Sequence, residues 1–263
     1  MTPSSTPAWT DFPSTDLALW LGQHGLAFWA LGCLSALALT GLLWRLRRRL
    51  GPGALWFGAA LPAALLLAAL ASQIGPGHAL PRFDEALTAS LARSVPPTTL
   101  AWFTVPTWLG NPAPVAVLAV LVALWLGWRR QRALAGIWLL AVIGNTVLNW
   151  GLKQLFARQR PTPLDGLLHE TGYSFPSGHA SGVLVTYGTL AYLVLRLAPA
   201  RWHLPVLLAT VLLVVSAPMS RVFLQVHYAS DVLAGLCSGT LWLLLCLRAC
   251  SMSRTGRVGA QSG

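Results

Sequence analysis

From residue 25 to residue 247 the chain alternates between long apolar stretches and short polar breaks. Seven stretches approach the roughly 20 residues that a helix needs to cross hydrocarbon. They predict helices over about Gly25–Trp44, Ala54–Ser72, Ala113–Trp128, Ala133–Leu152, Gly178–Leu197, His203–Met219 and Ala229–Leu247. Gly51-Pro52-Gly53 makes a tight break after the first helix. In the long connection Gln73–Pro112, the segment Phe83–Leu91 has the pattern of a short amphipathic helix at the interface. A second connection runs over Ala157–Pro176. The pattern predicts an all-α integral membrane protein. Residues 1–50 make an N-terminal segment with one transmembrane helix and a basic loop, and residues 51–250 hold the other six helices. Residues 251–263 are expected to form a disordered cytoplasmic tail. The first helix also fits a membrane-surface helix, which would leave six spans.

Composition agrees with this pattern. Only 10% of the 263 residues are charged, while 55% are hydrophobic; soluble domains carry about 25% charged residues. The net charge of +11 does not mark a nucleic-acid-binding face, because the arginines sit in blocks at helix ends. Arg45, Arg47, Arg48 and Arg49; Arg129, Arg130 and Arg132; Arg196 and Arg201; and Arg248, Arg254 and Arg257 make 12 of the 18 Lys and Arg residues. Placing these blocks in the cytoplasm follows the positive-inside rule and puts the C-terminus inside. All seven acids, Asp11, Asp16, Asp84, Glu85, Asp165, Glu170 and Asp231, then fall on the outer side. Cys33, Cys237, Cys246 and Cys250 lie in or at the ends of apolar helices, as small buried residues without a disulfide framework. No Lys or Arg precedes Arg45, so the start lacks the basic region of a cleaved signal peptide.

Three polar strings interrupt this pattern, and the charge count puts all three on the outer face. The first is Lys153-x6-Arg160-Pro161. If the helix continues, the two cations share a face until Pro161 ends it; the alternative is a basic interfacial anchor. Arg158 between them reads as an anchor or a substrate-rim charge. The second string, Pro176-Ser177-Gly178-His179, precedes an apolar helix. Ser177 suits the N-cap, Gly178 allows close approach to the backbone, and the helix start favours an anion. Plain capping is the alternative, although His179 in the first turn adds a group able to protonate a leaving oxygen. The third string is Ser220-Arg221-x5-His227-x3-Asp231. His227 and Asp231 share a face at four-residue spacing, so the carboxylate can hold one ring nitrogen while the other attacks phosphorus. Arg221 adds a fork that reads phosphate. A histidine merely satisfied by a nearby acid is the bland reading.

Asn145 and Asn149 suggest an interhelical hydrogen-bonded seam. His24, His78, His169 and His203 belong to no string. Trp44, Trp102, Trp108, Trp128, Trp150 and Trp202, near helix ends, fit an aromatic belt.

Together the strings resemble the tripartite signature of the type 2 phosphatidic acid phosphatase superfamily, the lipid phosphate phosphatases, over about Leu152–Asp231. The resemblance implies a six-helix phosphatase core and makes Lys153, Arg160 and Arg221 phosphate binders, with Ser177 and Gly178 hydrogen-bonding the phosphoryl oxygens. It makes His227 the nucleophile, Asp231 its orienting acid and His179 the general acid. It implies no cofactor and no metal, a lipid phosphate or diphosphate substrate in the bilayer (undecaprenyl diphosphate first, then phosphatidylglycerol phosphate or phosphatidic acid), and a site facing the periplasm or exterior of a bacterial plasma membrane. No nucleic acid and no obligatory protein partner are implied. The expected activity is metal-independent hydrolysis through a phosphohistidine. A lipid phosphotransferase would use the same phosphoenzyme, and a non-catalytic lipid-binding or transport protein is the rival from another class.

Overall fold

A computed structural model describes residues 13–47, 49, 52–75, 77–161 and 170–259. The described residues form ten α-helices and a 3-10 turn, Ala200–Trp202. The helices are α1 (Pro13–Gln23), α2 (Gly25–Leu46), α3 (Pro52–Ser72), α4 (Ala79–Ser94), α5 (Pro97–Leu109), α6 (Pro112–Trp128), α7 (Arg132–Phe156), α8 (Gly178–Leu197), α9 (His203–Phe223) and α10 (Ala229–Gly259). Among the described residues, six segments are long and apolar enough to cross a membrane: Gly25–Leu46, Pro97–Trp128, Arg132–Phe156, Gly178–Leu197, Ala200–Phe223 and Ala229–Ala249. Within α3, Trp56–Ser72 is a shorter apolar helix. The protein is an all-α, multi-pass membrane protein. With 22 residues, α2 is long enough to span, at about 1.5 Å of rise per residue.

Helices α7 to α10 run alternately up and down, so the ends of α7 and α9 meet the starts of α8 and α10. Gly25 of α2 lies beside Leu91 and Phe223 at this end, and Trp44 meets His203 at the other. Arg45, Arg129, Arg130, Arg132, Arg196, Arg201 and Arg248 gather at that second end, away from the three polar strings. Two indoles tie the bundle together: buried Trp138 donates to the Ala119 carbonyl at 2.8 Å and half-buried Trp242 to the Ala141 carbonyl at 3.0 Å. Asn145 and Asn149 both donate to the Ser181 hydroxyl, at 3.4 and 3.3 Å, making the α7–α8 seam expected from their spacing. Trp102, Trp108, Trp128, Trp150 and Trp202 are exposed. Cys33, Cys237 and Cys246 are buried and free.

Three local expectations change. The expected helix Phe83–Leu91 extends over all of α4, which packs against α1 and buries Asp84, Ala86, Thr88, Ser90 and Leu91. The connection after it is not open chain but α5, started by Pro97 at its first position and holding Pro106 within; a proline is tolerated at a helix start and disfavoured inside, which hides such a helix from pattern reading. α7 stops at Phe156 instead of continuing to Pro161: Ala157 takes a left-handed conformation (φ 44°) and its N–H donates to the Lys153 carbonyl. Lys153 and Arg160 therefore share no helix face. α10 runs on to Gly259, into the segment expected to be the cytoplasmic tail. Residues 260–263 of that tail, together with Asp11, Asp165 and His169, lie outside the described residues.

The close approach of α8 and α10 depends on Gly235. A Cβ there would lie 2.5 Å from the Ser177 carbonyl oxygen and 2.9 Å from the Ala180 Cβ, whereas Gly182 has nothing within 4 Å. Gly235→Ala should destabilise the protein by about 1–3 kcal/mol through overpacking, with Gly182→Ala neutral or slightly stabilising. Thermal unfolding in detergent checks this, and equal midpoints for the two variants would contradict the packing.

Candidate active site

The chain turns sharply after α7, and Arg158 and Arg160 then point into one polar cluster with Lys153. Lys153 Nζ donates to the Tyr173 carbonyl at 2.5 Å. Arg160 donates through Nε to the Gly172 carbonyl at 3.0 Å and through Nη1 to the Val226 carbonyl at 2.8 Å. The two cations are thus brought together by carbonyls of the segment before α8, not by helical spacing.

The same Nη1 of Arg160 lies 3.2 Å from His227 Nε2. A guanidinium has no acceptor, so this contact requires the lone pair on Nε2 and leaves the ring proton on Nδ1. Nδ1 faces Asp231 Oδ2 at 3.4 Å and has no closer partner. That distance is long for a hydrogen bond, as catalytic contacts without substrate often are. Asp231 has no exposed surface, and its Oδ2 also accepts from the Tyr228 N–H at 3.0 Å. Burial pushes the His227 imidazole down to about 4, against the opposing pull of Asp231 and with further lowering from Arg160 and Lys153.

Ser177 caps α8, its hydroxyl accepting from the Ala180 N–H at 3.4 Å, and its own N–H donates to the Asp231 carbonyl at 2.9 Å. Gly178 sits against Asn149, whose Nδ2 donates to the Pro176 carbonyl at 3.4 Å. His179 is buried in the first turn of α8, and its Nε2 lies 2.8 Å from Asn111 Oδ1. The amide oxygen accepts, so this contact fixes the ring's tautomer.

Arg221 is 1% exposed. Nη1 donates to the Thr107 hydroxyl at 3.1 Å, Nη2 pairs with Glu170, and Nε finds no partner. All eight residues singled out in the strings therefore gather at one end of the bundle. Sequence reasoning missed Asn111, Thr107, Glu170 and Asp84, which come from outside the strings. Asn111 carries a trace of a signal, as an asparagine just before the prolines that open α6.

Arg158 is neither an anchor nor a rim charge. Its side chain is 8% exposed and pairs with both Asp84, at 2.8 Å, and Asp231, at 2.7 Å. Those carboxylates raise its affinity for the proton despite burial. Among the described residues no group of three or more His, Cys, Asp or Glu side chains is placed to hold a metal ion.

The family model for the PAP2 superfamily matches residues 133–254. Phosphatidylglycerophosphatase B of Bacillus subtilis (strain 168) is 30% identical over 171 residues, 64% of this chain and 83% of that protein. YbjG of Escherichia coli (strain K12), provisionally named an undecaprenyl-diphosphatase, is 35% identical over 137 residues, 49% of this chain and 63% of that protein. The crystal structure of a transmembrane PAP2-type phosphatidylglycerolphosphate phosphatase from Bacillus subtilis superimposes with a TM-score of 0.68 at 27% identity, covering 74% of this chain and 96% of that one.

His227 should titrate near pH 4, well below the ordinary 6.5. Because the folded value is depressed, the ring stays neutral as pH falls from 6.5 towards 4, while the unfolded chain takes up the proton and folding stability declines. NMR of imidazole-¹⁵N-labelled protein, with His227→Ala assigning the resonance, measures this. A midpoint near 6.5 would contradict the buried, neutral ring.

Proposed function

The chain belongs to the PAP2 superfamily, and from that premise we propose that it is a membrane-embedded lipid phosphatase. It removes the terminal phosphate of a lipid phosphate or diphosphate through a phosphohistidine. The observation that carries the proposal is an anion already seated among the cations. Glu170 pairs with Arg221, and the carbonyls of the next three residues, Thr171, Gly172 and Tyr173, accept from Arg160 and Lys153. A substrate phosphate taking the place of that carboxylate would meet all three cations within reach of His227.

In the proposed reaction Nε2 of His227 attacks phosphorus, and the bond from phosphorus to the leaving oxygen breaks. His179 gives that oxygen its proton, and Asp231 stabilises the charged imidazole. Water then attacks phosphorus, His179 takes a proton from the water, and the bond from phosphorus to His227 Nε2 breaks, so that inorganic phosphate leaves with His227 restored. Lys153, Arg160 and Arg221 bind the phosphoryl oxygens with Ser177 and Gly178, supplying the charge stabilisation that metal ions provide elsewhere. The Ser177 hydroxyl would do so in addition to capping α8.

Phosphatidylglycerol phosphate is the first substrate to test, since the relative matched over the greater length carries that activity in its name. Undecaprenyl diphosphate follows on the name of the second relative. Phosphatidic acid is a third candidate. The site would face the outside of a bacterial plasma membrane, with the C-terminus in the cytoplasm; the clustering of arginine blocks at the opposite end of the bundle supports this orientation. Residues 51–250 would be the phosphatase core, with α2 an added span.

Purified wild-type protein should release phosphate from this panel, and His227→Ala should lose release by at least about 10³-fold while remaining monodisperse in detergent. Substantial turnover by that variant would overturn the mechanism. Addition of EDTA should leave turnover unchanged; a large loss would point to a metal.

A further inference from the structure

We propose that Arg158 is a positioning residue, a two-ended clamp that sets the Asp231 carboxylate against His227 with Asp84 of α4 as its fixed anchor. The proposal rests on the reading of His227 as nucleophile. Arg158 is one of the six unspecified positions of the first string, and its hydrogen bonds go to Ser230, Asp231 and Asp84 rather than to the nucleophile. Its Nη1 donates to Asp231 Oδ1 at 2.7 Å and to the Ser230 hydroxyl at 2.8 Å, and its Nη2 donates to Asp84 Oδ2 at 2.8 Å. The guanidinium also stacks 4.2 Å from the centre of the Tyr228 ring. Asp84 in turn accepts from the Ser230 backbone N–H at 3.2 Å and from the Ser230 hydroxyl. Both carboxylates are buried, at 1% and 0% exposure.

A carboxylate rotates easily about its last torsion, where no sharp staggered well holds it. The clamp removes that freedom: Arg158 occupies Oδ1, which leaves Oδ2 for the Tyr228 N–H and the His227 ring. The planar fork of an arginine can hold two carboxylates and a hydroxyl in one plane, which a lysine cannot. α4 thereby becomes part of the site through Asp84. The amphipathic helix that packs at this end of the bundle sets the angle of the nucleophile through Asp84 and Arg158.

A clamp acts on the chemical step, whereas a rim charge acts on substrate binding. Displacing a catalytic group by about 1 Å can cost on the order of 10²-fold in rate. Arg158→Gln should therefore lower kcat by about 10- to 100-fold with KM within about threefold of wild type. Arg158→Lys should recover part of the loss. Arg160→Gln, measured beside them, should raise KM. Wild-type kcat in Arg158→Gln, or a loss confined to KM, overturns the clamp. Should Arg158→Gln fail to fold, Asp84→Asn is decisive: it keeps Arg158 and every phosphate-binding residue, and a several-fold fall in kcat at unchanged KM is expected. Wild-type kcat in Asp84→Asn overturns the anchoring role. His227→Ala in the same assay separates the two readings. If it stays active, the nucleophile assignment fails and this role for Arg158 falls with it. If it is inactive while Arg158→Gln turns over normally, the clamp alone fails.

Discussion

The carboxylate of Asp231 sits where several chain segments converge, shielded from solvent. Its backbone carbonyl accepts from Ser177 at the start of α8. One carboxylate oxygen takes Arg158 from the turn after α7, and the other takes the Tyr228 N–H while facing the His227 ring. A buried charge left without partners would cost several kcal/mol, so these groups are bound to one another as a set. The histidine's position, the capped start of α8 and the turn that carries Arg160 all follow from satisfying that one residue. α4 joins through Asp84, which completes the pairing of Arg158 from the far side.

The alternating direction of the helices explains why this set occurs at one end of the bundle. Lipid tolerates no unpaired polar group along the helix sides. Polar side chains accordingly collect where α7 and α9 finish and where α8 and α10 begin. Two of those four ends are helix starts, whose free N–H groups and dipoles favour an anion. The cations Lys153, Arg160 and Arg221 add to the same field. In the described structure Glu170 answers it, and in the proposed reaction phosphate would. Substrate binding would then exchange one anion for another rather than bring charge into an uncharged cavity.

Much of this was legible in the chain itself. The apolar periods predicted the membrane helices, and four-residue spacing paired His227 with Asp231 because both lie beside one helix start. The spacing of Asn145 and Asn149 likewise anticipated the α7–α8 seam. Other residues were unreadable for physical reasons. The helical spacing of Lys153 and Arg160 was misleading, because α7 ends at Ala157 and carbonyls of the segment before α8 draw the cations together. Arg158 looked like an interfacial arginine, since its two carboxylate partners are 74 and 73 positions away in sequence. Asn111 and Thr107 reach the site only because α5 and α6 pack there, and the prolines of α5 conceal that helix from pattern reading. Long-range pairing leaves no local period to detect.

The central claim is that His227 forms the bond to phosphorus and His179 moves the protons. Its most direct test is to trap the intermediate in a His179→Ala variant given a ³²P-labelled lipid phosphate with a good leaving group. The label should become covalently attached in an acid-labile, alkali-stable form, and peptide mapping should place it on His227. Label on another residue, or turnover by the variant at the wild-type rate with no labelled protein, would contradict the account.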